Sequence, residues 1–381
     1  MIEVADRLKQ VEEYYFSKKL KEVAFLKSQG HPIINLGIGS PDLNPPIKAT
    51  MALKDSFDDA GVHKYQSYQG LPELRDAMAS FYKSQYNVDL SAATEILPLM
   101  GSKEGIMHIS MAFLNAKDEV LIPNPGYPTY TSVTKLLQAK PLLYDLKEEN
   151  HWLPDFVALE RMDLSKVKIM WINYPHMPTG MDANHKFYDD VIAFGKRHNI
   201  LIVNDNPYSF ILTQKPKSIL QYRGAKDTCL ELNSISKTFN MAGWRVGMLI
   251  GKYELVNAVL KVKSNMDSGM FYGIQKGAIE ALKSSDIWFE SVNSVYRNRK
   301  KLVLQLAKLL NCMCNEDDTG LFVWAKLPSG VKSEEFVDTL LKEHSIFITP
   351  GTVFGTNGEG YVRFSLCAES ALIEEAINRV K

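Results

Sequence analysis

Apolar residues along the chain recur at two spacings, and those spacings place most of the elements. Val4, Leu8, Val11 and Tyr15 repeat at helical intervals in a charge-rich stretch, which predicts a surface-lying helix over 4–29. Trp288, Val292, Val295, Leu302, Leu306 and Leu309 share one face of a second, longer helix that joins two parts of the chain. Between them, short apolar runs at 95–99, 118–122, 168–172, 200–203, 229–232 and 247–251 each stop at glycine, proline or small polar residues. Helical patterns follow several of these runs, including one over 186–199 and one carrying Ile106, Ile109 and Phe113. Another helix begins at Pro72 and Glu73, residue types favoured in a first turn. Strands alternating with helices from about residue 90 to 250 predict an α/β fold with a mostly parallel sheet between helices. Runs at 320–326, 345–355 and 360–366 predict a smaller strand-and-helix domain.

Composition narrows the class. A chain of 381 residues is long enough for one large domain and a smaller one. A formal net charge of zero speaks against a nucleic-acid or anionic-membrane partner. The N-terminus lacks an apolar signal core and no apolar run is long enough to span a bilayer, so a cytoplasmic location is expected. Cys229, Cys312, Cys314 and Cys367 have no metal-ligand spacing; reduced thiols and no metal are expected.

Candidate chemistry gathers where the apolar runs end. Ser234 and Ser236 precede Lys237, and Arg245 follows eight residues later. Two hydroxyls and a guanidinium make an oxyanion-binding set. A lysine beside them is either one more phosphate ligand or an amine held for Schiff-base chemistry. Gly101, Ser102 and Lys103 lie at a strand–glycine–helix junction, where free amides and the helix dipole favour phosphate. Asp205 ends an apolar strand, the place where open α/β sheets put ligand contacts, and Tyr208 stands three residues on. Tyr127 precedes Pro128, so it projects from an extended turn. Gly39, lacking a Cβ, allows close backbone approach to a ligand. Arg363, alone between Val362 and Phe364, buries a charge that needs an anion. Taken singly, each has an ordinary structural explanation: a surface loop, a packing ring, a helix cap, an internal salt bridge.

Together they resemble a known family. Ser-Ile-Ser-Lys237 followed by Gly-Trp-Arg245-Val-Gly is similar to the pyridoxal-phosphate lysine motif of class I/II aminotransferases, fold type I and aspartate aminotransferase-like. The resemblance runs from about residue 33 to 366. Gly39, Tyr65, Gly101-Ser-Lys103, Tyr127, Pro178-Thr-Gly180, Asp205 with Tyr208, Lys237, Arg245 and Arg363 all fall in the family's order. It implies a large cofactor domain over 48–286 and a small domain from 1–47 and 287–381. It also implies that Lys237 holds the cofactor as a Schiff base and acts as acid and base. Gly101, Ser102, Lys103, Ser234 and Arg245 then hold the phosphate end, Tyr127 stacks on the ring, with Tyr130 as packing. Asp205 pairs with the ring nitrogen, and Tyr208 donates to the 3-oxygen. Arg363, with the Gly39 segment, binds the substrate carboxylate, and Tyr65 reaches the phosphate of a neighbouring subunit in a homodimer. Amino acids and 2-oxo acids are the implied substrates, glutamate and 2-oxoglutarate forming one pair.

One departure stands out. Family members usually read Asn-Pro-Thr-Gly where this chain has Met177-Pro-Thr-Gly, and methionine offers no donor to the cofactor's 3-oxygen. Three readings stay open: His176 or Asn173 replaces the missing amide, the 3-oxygen keeps fewer partners, or Met177 fills space. A carbon–sulfur lyase of the same fold shares nearly every one of these residues. A regulator would need a DNA-binding segment, for which residues 1–32 are too short. A non-catalytic ligand-binding protein is the remaining alternative.

Overall fold

The computed structural model describes residues 2–11 and 15–381. A seven-stranded sheet forms its centre: β1 (Ile96–Leu99), β2 (Glu119–Asn124), β3 (Lys140–Asp145), β4 (Val167–Ile172), β5 (Leu201–Asp205), β6 (Cys229–Ser234) and β7 (Gly247–Gly251). Their order is β1-β7-β6-β5-β4-β2-β3, and β7 alone runs against the others. Alternate residues of a strand feed opposite faces: Met170 and Ile172 enter one core, Ile169 and Trp171 the other. Both faces are therefore covered, which explains why β4 and β5 are apolar without alternation.

Four helices frame or brace the strand ends: α1 (Tyr15–Ser28), α2 (Ser102–Phe113), α3 (Pro128–Leu136) and α4 (Asp286–Leu309). The single helix expected over 4–29 is instead a 3-10 turn at Asp6–Gln10 followed by α1, with residues 12–14 lying outside the described residues. Helix α4 spans the expected stretch, but its buried face is different. Phe289, Tyr296, Arg299, Val303 and Leu306 point inward, while Leu309 is exposed. The inner face carries a charge because Arg299 forks onto both oxygens of Asp42 at 2.6 and 2.7 Å and donates to the Leu366 carbonyl at 3.0 Å.

That pair ties α4 to the Gly39–Asp42 segment. Arg299→Ala leaves Asp42 without its partner, and the partial exposure of Asp42 softens the cost. A loss of about 2–3 kcal/mol is expected, read as a lower urea midpoint at unchanged slope.

A separate antiparallel sheet follows: β8 (Met313–Cys314), β9 (Phe322–Lys326), β10 (Thr349–Pro350) and β11 (Tyr361–Ser365), ordered β10-β11-β9-β8. Ile34–Asn35 pairs in parallel with Ile346–Phe347, which stitches the N-terminal stretch to this C-terminal part. The loop after β10 is moored to the large sheet. Asn124, ending β2, donates to Thr356 Oγ1 at 2.8 Å and accepts the Asn357 amide at 3.1 Å; the Asn357 side chain donates to Asp145 at 2.9 Å. Among the described residues, no helix is long and apolar enough to cross a membrane. All four cysteines are free thiols.

Candidate active site

The C-terminal ends of the parallel strands come level along one rim. Leu99 and Ser234 both lie opposite Gly247, and Asp205 lies opposite Leu232. The residues just beyond those ends open into a cavity of about 400 Å³. It is closed on the far side by Phe322, Phe354 and Arg363 of the C-terminal part.

One end of the cavity is a set of anion donors. Ser102 is the first residue of α2, and Gly101 before it holds a φ of 90°, open to glycine at no steric cost. A Cβ on Gly101 would lie 2.1 Å from Arg245 Nη2, so the glycine is also the seat of that guanidinium. Arg245 holds a left-handed φ of 56° and donates to the Ala242 carbonyl at 2.9 Å. Ser234 donates to Ser236 Oγ at 2.8 Å, and both line the cavity beside Ser102, Lys103 and Arg245.

Lys237 stands in the middle, donating to the Gly39 carbonyl. Burial pushes its ammonium below the ordinary lysine value, and the charges of Arg363 and Arg245 add to that. At the end of β5, burial pushes the Asp205 carboxyl up to about 7, partly offset by the hydroxyl of Tyr130, which donates to Oδ2 at 2.9 Å. Asp205 Oδ1 is buried with no hydrogen-bond partner. Tyr127 and Tyr208 line the same space; burial raises the Tyr208 phenol.

The opposite wall is built around Arg363, paired across β11 with Trp324 and Thr349. Its guanidinium lies between the rings of Phe322 and Phe354, 3.9 and 4.6 Å from their centroids. Nη2 donates to the Gly37 carbonyl at 2.9 Å, and Nη1 meets Met177 Sδ at 3.2 Å. A Cβ on Gly39 would strike Phe322 at 2.2 Å, so the Gly39 backbone packs flush against this wall.

The structure thus gathers Gly39, Ser102, Lys103, Tyr127, Asp205, Tyr208, Ser234, Lys237, Arg245 and Arg363 around one cavity, with Gly101 beneath Arg245. Tyr65 is elsewhere: it is 90 % exposed and lines a separate shallow pocket with Ser268, Gly269 and Phe271. Tyr130, expected only to pack, also lines the cavity and is bonded to Asp205. Ser236 and Leu20 of α1 join the lining too. Ser236 shares the Ser-x-Ser-Lys spacing that singled out Ser234; nothing local marks Leu20.

At the Met177 position the two neighbouring side chains are placed differently. His176 is buried outside the cavity with Nδ1 on Thr179 Oγ1 at 2.8 Å. The Asn173 side chain donates one amide N–H to the Asp205 carbonyl and accepts the Met177 amide at 2.8 Å. His176 does not reach the cavity, whereas Asn173 lines it and keeps a second amide N–H beyond its bond to Asp205. The cavity presents a thioether there, against Arg363.

A covered, mostly parallel sheet with an amine, an oxyanion cradle and an unpartnered carboxylate oxygen at its strand ends defines a fold type I pyridoxal-phosphate enzyme. The family profile described as aminotransferase class I and II matches residues 31–380, and the chain belongs to that family. It is a pyridoxal-phosphate-dependent aminotransferase. Similar proteins include the LL-diaminopimelate aminotransferase of Aquifex aeolicus, 41% identical over 100% of this chain and 99% of that one. Another is the LL-diaminopimelate aminotransferase of Maridesulfovibrio salexigens, 40% identical over 99% and 98%. Among solved structures, apo BacF from Bacillus subtilis superposes with a TM-score of 0.95 at 35% identity, covering 100% of this chain and 98% of its own.

Proposed function

We propose that this aminotransferase moves an amino group between LL-diaminopimelate and 2-oxoglutarate, with glutamate as the second amino acid. The names of the full-length relatives support that donor. The observation that carries the site assignment is the pairing of Lys237 with the unpartnered Asp205 oxygen in one cavity. The residues present fit the cofactor. Ser102, Ser234, Ser236, Arg245 and the start of α2 suit a phosphate, and Asp205 Oδ1 suits a pyridinium nitrogen. Bound there, pyridoxal phosphate supplies an aldehyde that condenses with amines and a ring that accepts electrons from the substrate α-carbon.

The chain's own groups do the rest. Lys237 would hold the cofactor's aldehyde carbon, and its amine would serve as the acid and base that moves the proton at the substrate α-carbon. Its depressed pKa favours the neutral base that this task requires. Asp205 would hold the protonated ring nitrogen, Tyr127 would cover the ring face, and Tyr208 would donate to the 3-oxygen. Arg363 forks onto the α-carboxylate, and the Gly39 segment closes over it. Residues 48–286 form the cofactor domain, and both termini form the small one.

A second donor class is favoured by the lining itself. Leu20, Ile38, Phe322 and Phe354 present apolar surface to the substrate side chain, which suits an aromatic amino acid. Assaying LL-diaminopimelate and phenylalanine in parallel with 2-oxoglutarate separates the two. For diaminopimelate, kcat/KM is expected to be at least about tenfold higher; the reverse ratio replaces that donor with the aromatic one. Pyruvate release from cystathionine would instead identify a lyase.

The working unit is a cytoplasmic homodimer in which Tyr65 reaches the partner's phosphate. Ile47, Met51, Phe57, Tyr65, Tyr68 and Phe271 are all exposed apolar residues of a kind that oligomers cover. Sedimentation is expected to give a dimer. Tyr65→Phe raises the dissociation constant for pyridoxal phosphate roughly ten- to a hundredfold, the worth of one hydrogen bond to a charged group.

A further inference from the structure

Tyr130 lies in the first turn of α3 and is wholly buried. Its ring rests flat on Trp171 of β4, with centroids 4.9 Å apart and planes 7° apart. Tyr127 meets it edge-on at 5.6 Å. Those contacts fix the ring, and its hydroxyl donates to Asp205 Oδ2 at 2.9 Å. The other oxygen, Oδ1, is buried without a partner. A carboxylate is planar, so anchoring one oxygen sets the direction of the other.

We infer that Tyr130 is a positioning residue, whose hydrogen bond favours the ionised form of Asp205 and aims its second carboxylate oxygen at the cofactor's ring nitrogen. This rests on the pyridoxal-phosphate reading of the site. Burial favours the neutral acid, and a hydrogen bond donated to the charged form opposes it. The Tyr130 phenol is itself raised far above its ordinary value by burial, so it remains a donor throughout the working range. Without that donor the carboxylate is less favoured, and the proton shared between Asp205 and the ring nitrogen would be drawn toward Asp205. The other titratable or charged groups facing the cavity are Tyr127, Tyr208, Lys103, Lys237, Arg245 and Arg363. The influences that act on Asp205 are burial and the Tyr130 hydroxyl, and the four cations are unchanged by substitution at Tyr130.

Tyr130→Phe keeps the ring and deletes the hydroxyl. In cofactor-free protein labelled with carbon-13 aspartate, and with Asp205→Asn to assign the signal, the Asp205 midpoint is expected to rise by at least about one pH unit. In the holoenzyme the dissociation constant for pyridoxal phosphate rises about tenfold, and its pH dependence moves in the same direction. Placing 3-fluorotyrosine at 130 makes a stronger donor of nearly the same shape and lowers the midpoint; this arm stands if the phenylalanine variant does not fold. Lost packing alone would lower the melting temperature and leave the Asp205 midpoint in place, so an unmoved midpoint in these variants overturns the inference. A moved midpoint in a protein that binds no pyridoxal phosphate overturns the cofactor reading, and the aim of Oδ1 with it.

Discussion

Lys237→Ala is expected to cut amino-group transfer by about four orders of magnitude, the upper range for a positioned acid–base group. The visible absorbance of the lysine-bound cofactor should disappear with it. Among the described residues the other amine lining the cavity is that of Lys103, which enters from the start of α2 beside the anion donors, whereas Lys237 leaves the helical turn Ile235–Thr238 to meet Gly39. Single-turnover assays at saturating cofactor provide the measurement. Transfer retained at a tenth of the parent rate would reject Lys237 as the acid–base group.

Arg363→Ala should lower kcat/KM by about 100- to 1,000-fold, mostly through KM, because it removes one member of a buried charge pair with the substrate carboxylate. Arg363→Lys should recover little of this. The slot between Phe322 and Phe354 fits a flat guanidinium, and an ammonium offers no fork to a carboxylate. Met177 sharpens the dependence, since its sulfur touches Nη1 and brings no donor to the carboxylate. Initial rates over a range of donor concentrations separate KM from kcat. An equal loss in both variants with KM unchanged would mean that the arginine serves the fold.

Much of this was legible in the residue pattern because it depends on neighbours in sequence. The apolar runs of β4 and β5 stop within a residue or two of where the strands do, and Asp205 and Ser234 mark strand ends by changing from apolar to polar. Gly101 and Lys237 follow from the spacing of a junction and a short motif. Other features depend on partners far along the chain. The inner face of α4 includes Arg299 only because Asp42, 257 residues away, neutralises it. Tyr130 gains its role from Trp171 and Asp205, neither of which is near it in sequence. The reversed direction of β7 has no signature in Gly247–Gly251; it depends on the connection over 235–246, which holds two left-handed residues, Asn240 and Arg245, and returns the chain alongside β6.

The mooring of Asn124 has a consequence for access. The loop that binds it also brings Phe354 against Arg363, and the Phe354 carbonyl accepts the Gly126 amide at 2.7 Å. The lid over the carboxylate grip is thus fastened to the opposite half of the molecule by a few side-chain and backbone amides. Any movement of that loop away from the cavity would break those amide contacts, most of which converge on one asparagine.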